Sequence, residues 1–174
     1  NDLSDYIDEL EKGIEIDLEK RPSYVECISD EASYIKSSQF RKDRDFWIGE
    51  FSPLPEKNDI SVKVKATDIE ANRLIFTVPS PLRTKMLDYC KSNNTSLFEL
   101  FLSALSICIS RLSMNPDVVI RTVNHNRVTP NQKSMAGMFV ADIPFRTDLS
   151  VDEDFSTFVT NIGNRKFQCM WACV

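Results

Sequence analysis

The sequence predicts an α/β (α+β) layered sandwich, and two observations support this class. After an N-terminal helical region, the hydrophobic period alternates between two and 3.6 residues, in the order strand, helix, helix, strand, strand, helix. Hydrophobic residues make up 42% of the 174 residues and charged residues 27%, which is a globular composition. A chain of this length suffices for one domain or for one lobe of a larger protein.

The N-terminal region predicts three helices. Residues 3–10 carry an apolar stripe at helical spacing, and Ser29, followed by two acidic residues, is typical of a helix start. Residues 38–51 place large apolar side chains on one side, and Pro53 is expected to end that helix.

Two strands and a helix are predicted next. Residues 60–66 alternate apolar and polar side chains, and residues 72–79 are rich in residues that favour strands. Pro81 suits the first turn of a helix. That helix has an apolar stripe formed by Leu82, Met86, Leu87 and Cys90.

A second helix follows the first without an intervening strand. Ser96 and Glu99 have the spacing of a capping box, which predicts a helix start there. Residues 97–112 are apolar on nearly every face, so we expect this helix to be buried between layers. The β-branched run at 117–123 predicts a strand that is covered on both faces.

The last part predicts a loop, a strand and a helix. Residues 124–136 are polar and predict the loop, and residues 137–149 predict a strand that Pro144 interrupts. A helix over 155–171 is expected to begin after a capping carboxylate, Asp152 or Asp154. Its expected core residues are Phe158, Val159, Ile162 and Phe167.

Charge and composition argue against two classes of partner. The net charge is −5 and the densest basic cluster, residues 40–44, contains its own aspartate, which argues against nucleic acid. The longest apolar run, 97–112, is shorter than the ~20 residues that span a bilayer, and the polar N-terminus is no signal peptide. The five cysteines lack CxxC spacing, which favours a reduced cytoplasmic protein with buried thiols.

Residues that could carry chemistry are few. His125 is the only histidine and stands in a polar loop, where a surface role is the commoner one. No four-ligand metal set, glycine-rich phosphate loop or GxSxG motif is present, so we predict no metal site. Arg127 and Arg146 each follow a strand-like run and are either ion-paired surface residues or braces beside a channel.

Four passages in order resemble the condensation domains of nonribosomal peptide synthetases, in the chloramphenicol-acetyltransferase-like superfamily. Residues 22–51 resemble the linker helices that lead to a D-x-x-F-W signature, and residues 93–120 resemble the long helix before D-V-V. Residues 123–127 resemble a strand end that usually reads G-R, where Asn126 and Arg127 stand. Residues 135–149 resemble G-x-F-V-N-T-x-x-x-R, which Gly137, Phe139, Val140 and Arg146 match.

The resemblance implies one lobe of a two-lobed fold. Residues 1–57 would be linker helices leading into it, and residues 58–174 part of the C-terminal lobe. The implied tunnel-wall or lobe-bracing residues are Arg127, Gly137, Phe139, Asp142 and Arg146. The family's N-T is Ala141-Asp142 here, which brings a carboxylate to the wall.

The resemblance also implies the function and the partners. The parent protein would form amide bonds between an acyl or peptidyl donor and an aminoacyl acceptor, both held on 4'-phosphopantetheine arms of carrier proteins, with no tightly bound cofactor. The family's HHxxxDG motif is absent and His125 does not match it, so no catalytic residue is predicted here. We expect the chain to be an excerpt of a synthetase and to be inactive by itself. We also expect the excerpt to self-associate through exposed apolar surface. The alternatives are an O-acyltransferase, an epimerisation domain, or a non-catalytic module that recruits a partner.

Overall fold

A computed structural model describes residues 2–13, 23–56, 60, 73–135 and 137–172, with the side chains of residues 2–6 excepted. Within these ranges the element order is helical at first and mixed later. The helices and strands are α1 (Asp2–Glu11), α2 (Tyr24–Tyr34), α3 (Ser38–Glu50), α4 (Ser80–Ser92), α5 (Leu97–Ser113), β1 (Asp117–Asn124), α6 (Pro130–Ser134), β2 (Ala141–Asp148) and α7 (Phe155–Trp171). This mixture of helices and strands agrees with the predicted fold class.

The chain divides into two compact units. Unit 1 comprises residues 1–52, 121–143 and 169–174, and unit 2 comprises residues 53–120 and 144–168. The sequence-based division after residue 57 stays a prediction. Among the described residues, no single helix is long and apolar enough to cross a membrane.

The buried residues of each unit come from several elements. In unit 1 they include Met135, Phe139, Ile143, Cys169 and Ala172. In unit 2 they include Cys90, Leu102, Val118, Phe145, Phe158, Val159 and Ile162.

Helix α5 begins as its sequence predicts. The Ser96 hydroxyl accepts a hydrogen bond from the Glu99 amide, and the Glu99 carboxylate accepts one from the Ser96 amide. Its two fully buried serines, Ser103 and Ser106, donate to the carbonyls four residues earlier. The expectation of burial on nearly every face is wrong for the described chain, because several large side chains of α5 are exposed. These are Leu97, Phe98, Phe101, Leu105 and Leu112.

Strands β1 and β2 pair with each other. In unit 2, Asp117 of β1 contacts Arg146 of β2, and the carbonyl of Pro116 accepts from the amide of Leu149. Moving back along β1 therefore moves forward along β2, so the strands are antiparallel. On β2 the buried side chains of Ile143, Phe145 and Thr147 alternate with neighbours that are at least partly exposed.

Several boundaries and exposures differ from the sequence-based expectations. Helix α2 begins at Tyr24 rather than at Ser29, because the hydroxyl of Ser23 accepts from the Val25 amide and caps the helix there. Strand β1 is not covered on both faces, since Val123 is exposed. Strand β2 begins at Ala141, four residues later than predicted, and α6 forms inside the predicted loop.

The predicted strands before α4 also differ. Most of residues 60–66 lies outside the described residues. Residues 73–79 form no strand, and Leu74 and Phe76 are 79% and 84% exposed. A strand needs a neighbour to pair its backbone groups, and the described sheet contains β1 and β2 alone.

Helix α7 matches its prediction except at one core position. Asp154 provides the cap, since its carboxylate accepts from the amides of Ser156 and Thr157. Phe167 is 61% exposed, so its assignment to the core is wrong. Cys108 is likewise exposed, whereas Cys90 is buried as expected.

Candidate functional site

Arg127 stands in the loop after β1 and donates hydrogen bonds to several carbonyls of the segment that follows it. One terminal nitrogen donates to the carbonyls of Gln132 and Met135, the latter at 2.7 Å, and the other donates to Gly137 at 3.1 Å. Its guanidinium also lies over the ring of Phe139, 4.2 Å from the centroid. The planar fork of arginine can satisfy several acceptors at once, so one side chain organises residues 132–139.

Helix α6 gives this loop a second constraint. The hydroxyl of Thr129 accepts from the Gln132 amide, and the Gln132 side chain accepts from the amides of Val128 and Thr129. This capping box fixes the short helix that contains one of the three carbonyl partners of Arg127, that of Gln132. We name Tyr24, Arg127, Gln132, Gly137 and Phe139 the Arg127 cluster; all five residues belong to unit 1.

Asn126 stands where the resembled motif has glycine, and its backbone conformation shows why glycine suits this position. Its φ is +51°, in the left-handed region that glycine and, less easily, asparagine adopt. The side chain of Asn124 accepts from the Asn126 amide at 3.4 Å and donates to the Asn126 side chain at 3.1 Å. The turn that aims Arg127 therefore depends on a residue that tolerates positive φ.

Gly137 lies against an aromatic ring that no motif in the sequence indicated. A Cβ atom at Gly137 would overlap Cδ2 of Tyr24, because it would stand closer to that atom than real Cβ atoms approach their neighbours. Tyr24 also forms an edge-to-face contact with Phe139. Sequence reasoning missed Tyr24 because it lies more than 100 residues before its partners, where no local signal connects them.

Asp142 forms an ion pair with Arg121 across the two strands. The hydrogen bond from Arg121 lowers the pKa of Asp142, and the same hydrogen bond raises the pKa of Arg121. The carboxylate that replaces the family's usual residue therefore has its own counter-ion on the neighbouring strand.

Arg146 forms a two-pronged ion pair in unit 2. Its Nε and one terminal nitrogen donate to the two carboxylate oxygens of Asp117 at 2.9 and 2.8 Å, and another nitrogen donates to the carbonyl of Pro53 at 2.9 Å. Both side chains are largely buried, at 16% and 26% exposed. Such a bidentate pair fixes orientation as well as charge.

His125, two residues before Arg127 in the sequence, is exposed. Within the described ranges no group of histidine, cysteine and carboxylate side chains could hold a metal ion. The structure thus brings Arg127, Gly137 and Phe139 together, and gives Asp142 and Arg146 separate ion-pair partners.

The D-x-x-F-W signature is structural in unit 1. Asp43 is buried and accepts from the Tyr34 hydroxyl at 2.7 Å and the Gln39 amide at 2.8 Å. The indole of Trp47 donates to the carbonyl of Ala172 at 2.8 Å. Asp43 therefore joins α3 to α2, and Trp47 joins α3 to the residue that follows α7.

Curated relatives of this chain are peptide synthases. It is 29% identical over 172 residues to a plipastatin synthase of Bacillus subtilis (strain 168), an alignment that covers 98% of this chain and 7% of that protein. It is 34% identical over 154 residues to surfactin synthase subunit 1 of the same organism, covering 87% of this chain and 4% of the relative. The chain thus spans less than a tenth of the length of these relatives.

Solved structures share the fold. The first condensation domain of the calcium-dependent antibiotic synthetase, in complex with a substrate analogue, superposes with a TM-score of 0.71 at 20% identity, covering 94% of this chain and 37% of that one. The condensation domain of the monacolin K polyketide synthase MokA gives a TM-score of 0.76 at 15% identity, with 95% and 40% covered. The family model of the condensation domain matches residues 1–170. The chain therefore belongs to the condensation-domain family and corresponds to part of such a domain.

Proposed function

We propose that the parent protein forms amide bonds between an acyl or peptidyl donor and an aminoacyl acceptor, each tethered to the phosphopantetheine arm of a carrier protein. The observation that carries this proposal is the family match over residues 1–170. The synthase names of the relatives support a role in peptide assembly.

The described residues suit positioning rather than proton transfer. Arg127 and Arg146 are held by carbonyls and by a carboxylate, and arginine stays protonated throughout the physiological range. His125 is exposed. In this proposal, Arg127 and Arg146 each brace the unit to which they belong and act as positioning residues, while the family's HHxxxDG motif supplies the imidazole from outside this sequence. Holding the two tethered reactants together can account for a large part of the rate.

The remaining parts of the proposal concern partners and location. Carrier proteins and the other modules of a synthetase are the expected partners. The thiols of Cys27, Cys90 and Cys108 are free in the structure, as a reducing compartment such as the cytoplasm would keep them. The exposed apolar side chains of α5 favour self-association of the chain when it is separated from its parent.

The test is an amide-formation assay with the full-length protein. Donor and acceptor are loaded on separate carrier proteins, and the carrier-bound product is identified by mass spectrometry. We expect an amide product with an amine acceptor and none with the matching hydroxyl acceptor, whereas ester formation would favour an O-acyltransferase. Inversion of a tethered residue would indicate epimerisation, and carrier binding without product would indicate a recruiting module.

A parallel assay tests the expectation that the chain alone is inactive. The 174-residue chain is given the same loaded carriers as the full-length protein. Turnover comparable to that of the full-length protein would contradict the proposed division of labour, because the chain lacks the HHxxxDG motif.

A further inference from the structure

Tyr24 is the first residue of α2, and its place is set by the cap before it. The hydroxyl of Ser23 accepts from the amide of Val25 at 3.3 Å, and the helix begins at Tyr24. A residue in the first turn of a capped helix has a defined backbone. The cap therefore fixes the backbone from which the ring of Tyr24 extends.

Three contacts of Tyr24 converge on residues 137–139. Its hydroxyl donates to the carbonyl of Met138 at 2.8 Å. Its ring meets Phe139 edge to face, with centroids 5.3 Å apart and planes at 88°. Its Cδ2 and Cε2 atoms occupy the space that a Cβ atom at Gly137 would need.

Arg127 holds the same segment through other atoms. It donates to the carbonyl of Gly137 at 3.1 Å and lies 4.2 Å from the ring centroid of Phe139. The ring of Phe139 therefore contacts both an aromatic edge and a guanidinium, and it is 9% exposed. A phenyl ring with two such neighbours has little freedom, and β2 begins two residues after it.

We propose that Tyr24 is a positioning residue that fixes the main chain of Gly137–Phe139 at the entry to β2. The hydroxyl selects one orientation of the Met138 peptide, and the ring requires that residue 137 have no side chain. The consequence for catalysis rests on the proposed function, because β2 carries Asp142 and Arg146.

Hydrogen–deuterium exchange of the full-length protein tests the hydrogen bond. The variant Tyr24→Phe keeps the ring and removes the hydroxyl. We expect amides of residues 137–141 to exchange roughly three to ten times faster, as the loss of one hydrogen bond predicts, while α5 and α7 keep their rates. The control is Tyr89→Phe, whose hydroxyl makes a 3.5 Å contact with Ser156 in unit 2.

Two exchange results would overturn the proposal. Unchanged exchange at 137–141 would show that the hydroxyl does not fix this segment. Faster exchange throughout unit 1 would show a general loss of stability instead of local positioning.

A double-mutant cycle tests the close approach at Gly137. Gly137→Ala is expected to lower the melting temperature strongly in the presence of Tyr24 and only weakly in the Tyr24→Ala background, where the ring no longer meets the new methyl group. Equal effects in both backgrounds would overturn the steric part of the proposal. This cycle needs no catalytic activity.

Turnover then tests the consequence for the reaction. In the amide-formation assay we expect Tyr24→Phe to lower kcat about fivefold with little change in KM, since misplaced groups impair the chemical step rather than binding. A wild-type kcat in this variant would overturn the role of Tyr24 in the reaction. If the wild-type protein forms no amide, the proposed function fails, while exchange and the Gly137 cycle still decide whether Tyr24 positions the segment.

Discussion

The Arg127 cluster of unit 1 and the pair formed by Glu99 and Lys166 in unit 2 hold their charges with different kinds of partner. The partners of Arg127 are backbone carbonyls and an aromatic face, and those groups do not titrate. Glu99 is 13% exposed and accepts from Lys166, from the Ser96 amide and from the Thr95 hydroxyl. The first arrangement is insensitive to pH, whereas the second depends on the ionisation of one carboxylate.

The pKa of Glu99 shows how strong the second arrangement is. Burial raises this pKa, but hydrogen bonds from Lys166, Ser96 and Thr95 outweigh burial and lower it from 4.5 to about 2. Because the folded value is depressed, the stabilisation is present above the ordinary pKa of 4.5 and is lost as pH falls toward 2.

The largest expected effect is at Arg127. Arg127→Ala removes several charged hydrogen bonds and a cation–π contact, so we expect the free energy of unfolding to fall by roughly 2–3 kcal/mol in urea denaturation. The loss of unfolding free energy relative to wild type should be the same near pH 7 as near pH 4, where carboxylates ordinarily titrate. The reason is that the carbonyl partners of Arg127 do not titrate.

Arg127→Lys is the matched control for charge. An ammonium keeps the positive charge but cannot reach several carbonyls with a planar fork. Stability restored fully by lysine would contradict the importance of the fork.

The next effect is at Glu99. A displacement of the pKa from 4.5 to about 2 corresponds to at most about 3 kcal/mol. Glu99→Gln keeps an acceptor for the capping box, so we expect a loss of about 2 kcal/mol near neutral pH. Chemical denaturation over a pH series should show this difference shrinking as pH falls from 4.5 toward 2, as wild-type Glu99 becomes protonated.

Glu31→Gln is the control, since Glu31 is an exposed helical glutamate of α2. A stability difference at Glu99 that stays constant throughout the acid series would contradict the assignment of the low pKa.

The smallest expected effect on stability is at Asn126, in the turn that precedes Arg127. Asn126→Val forces a β-branched residue to adopt a φ of +51° and should cost about 1–2 kcal/mol, whereas Asn126→Gly should be neutral within about 0.5 kcal/mol. Thermal melting of both variants measures the contrast. Equal melting temperatures would show that the turn before Arg127 imposes no conformational requirement.

Local patterns predicted much of the fold because their partners are close in sequence. The capping box of Ser96 and Glu99, the carboxylate cap of Asp154 and the helix α3 all form as expected. The same reasoning failed at Ser29, because Ser23 caps α2 first. It failed at residues 73–79 because strand propensity alone does not provide a pairing neighbour.

Short-range patterns were enough to establish where most helices begin and which motifs identify the family, since these depend on spacings of a few residues. Packing of distant elements was needed to bring Tyr24 against Gly137 and Lys166 against Glu99, because these partners lie 113 and 67 residues apart. Contacts at such separations depend on how whole elements pack, and no local period or cap records them.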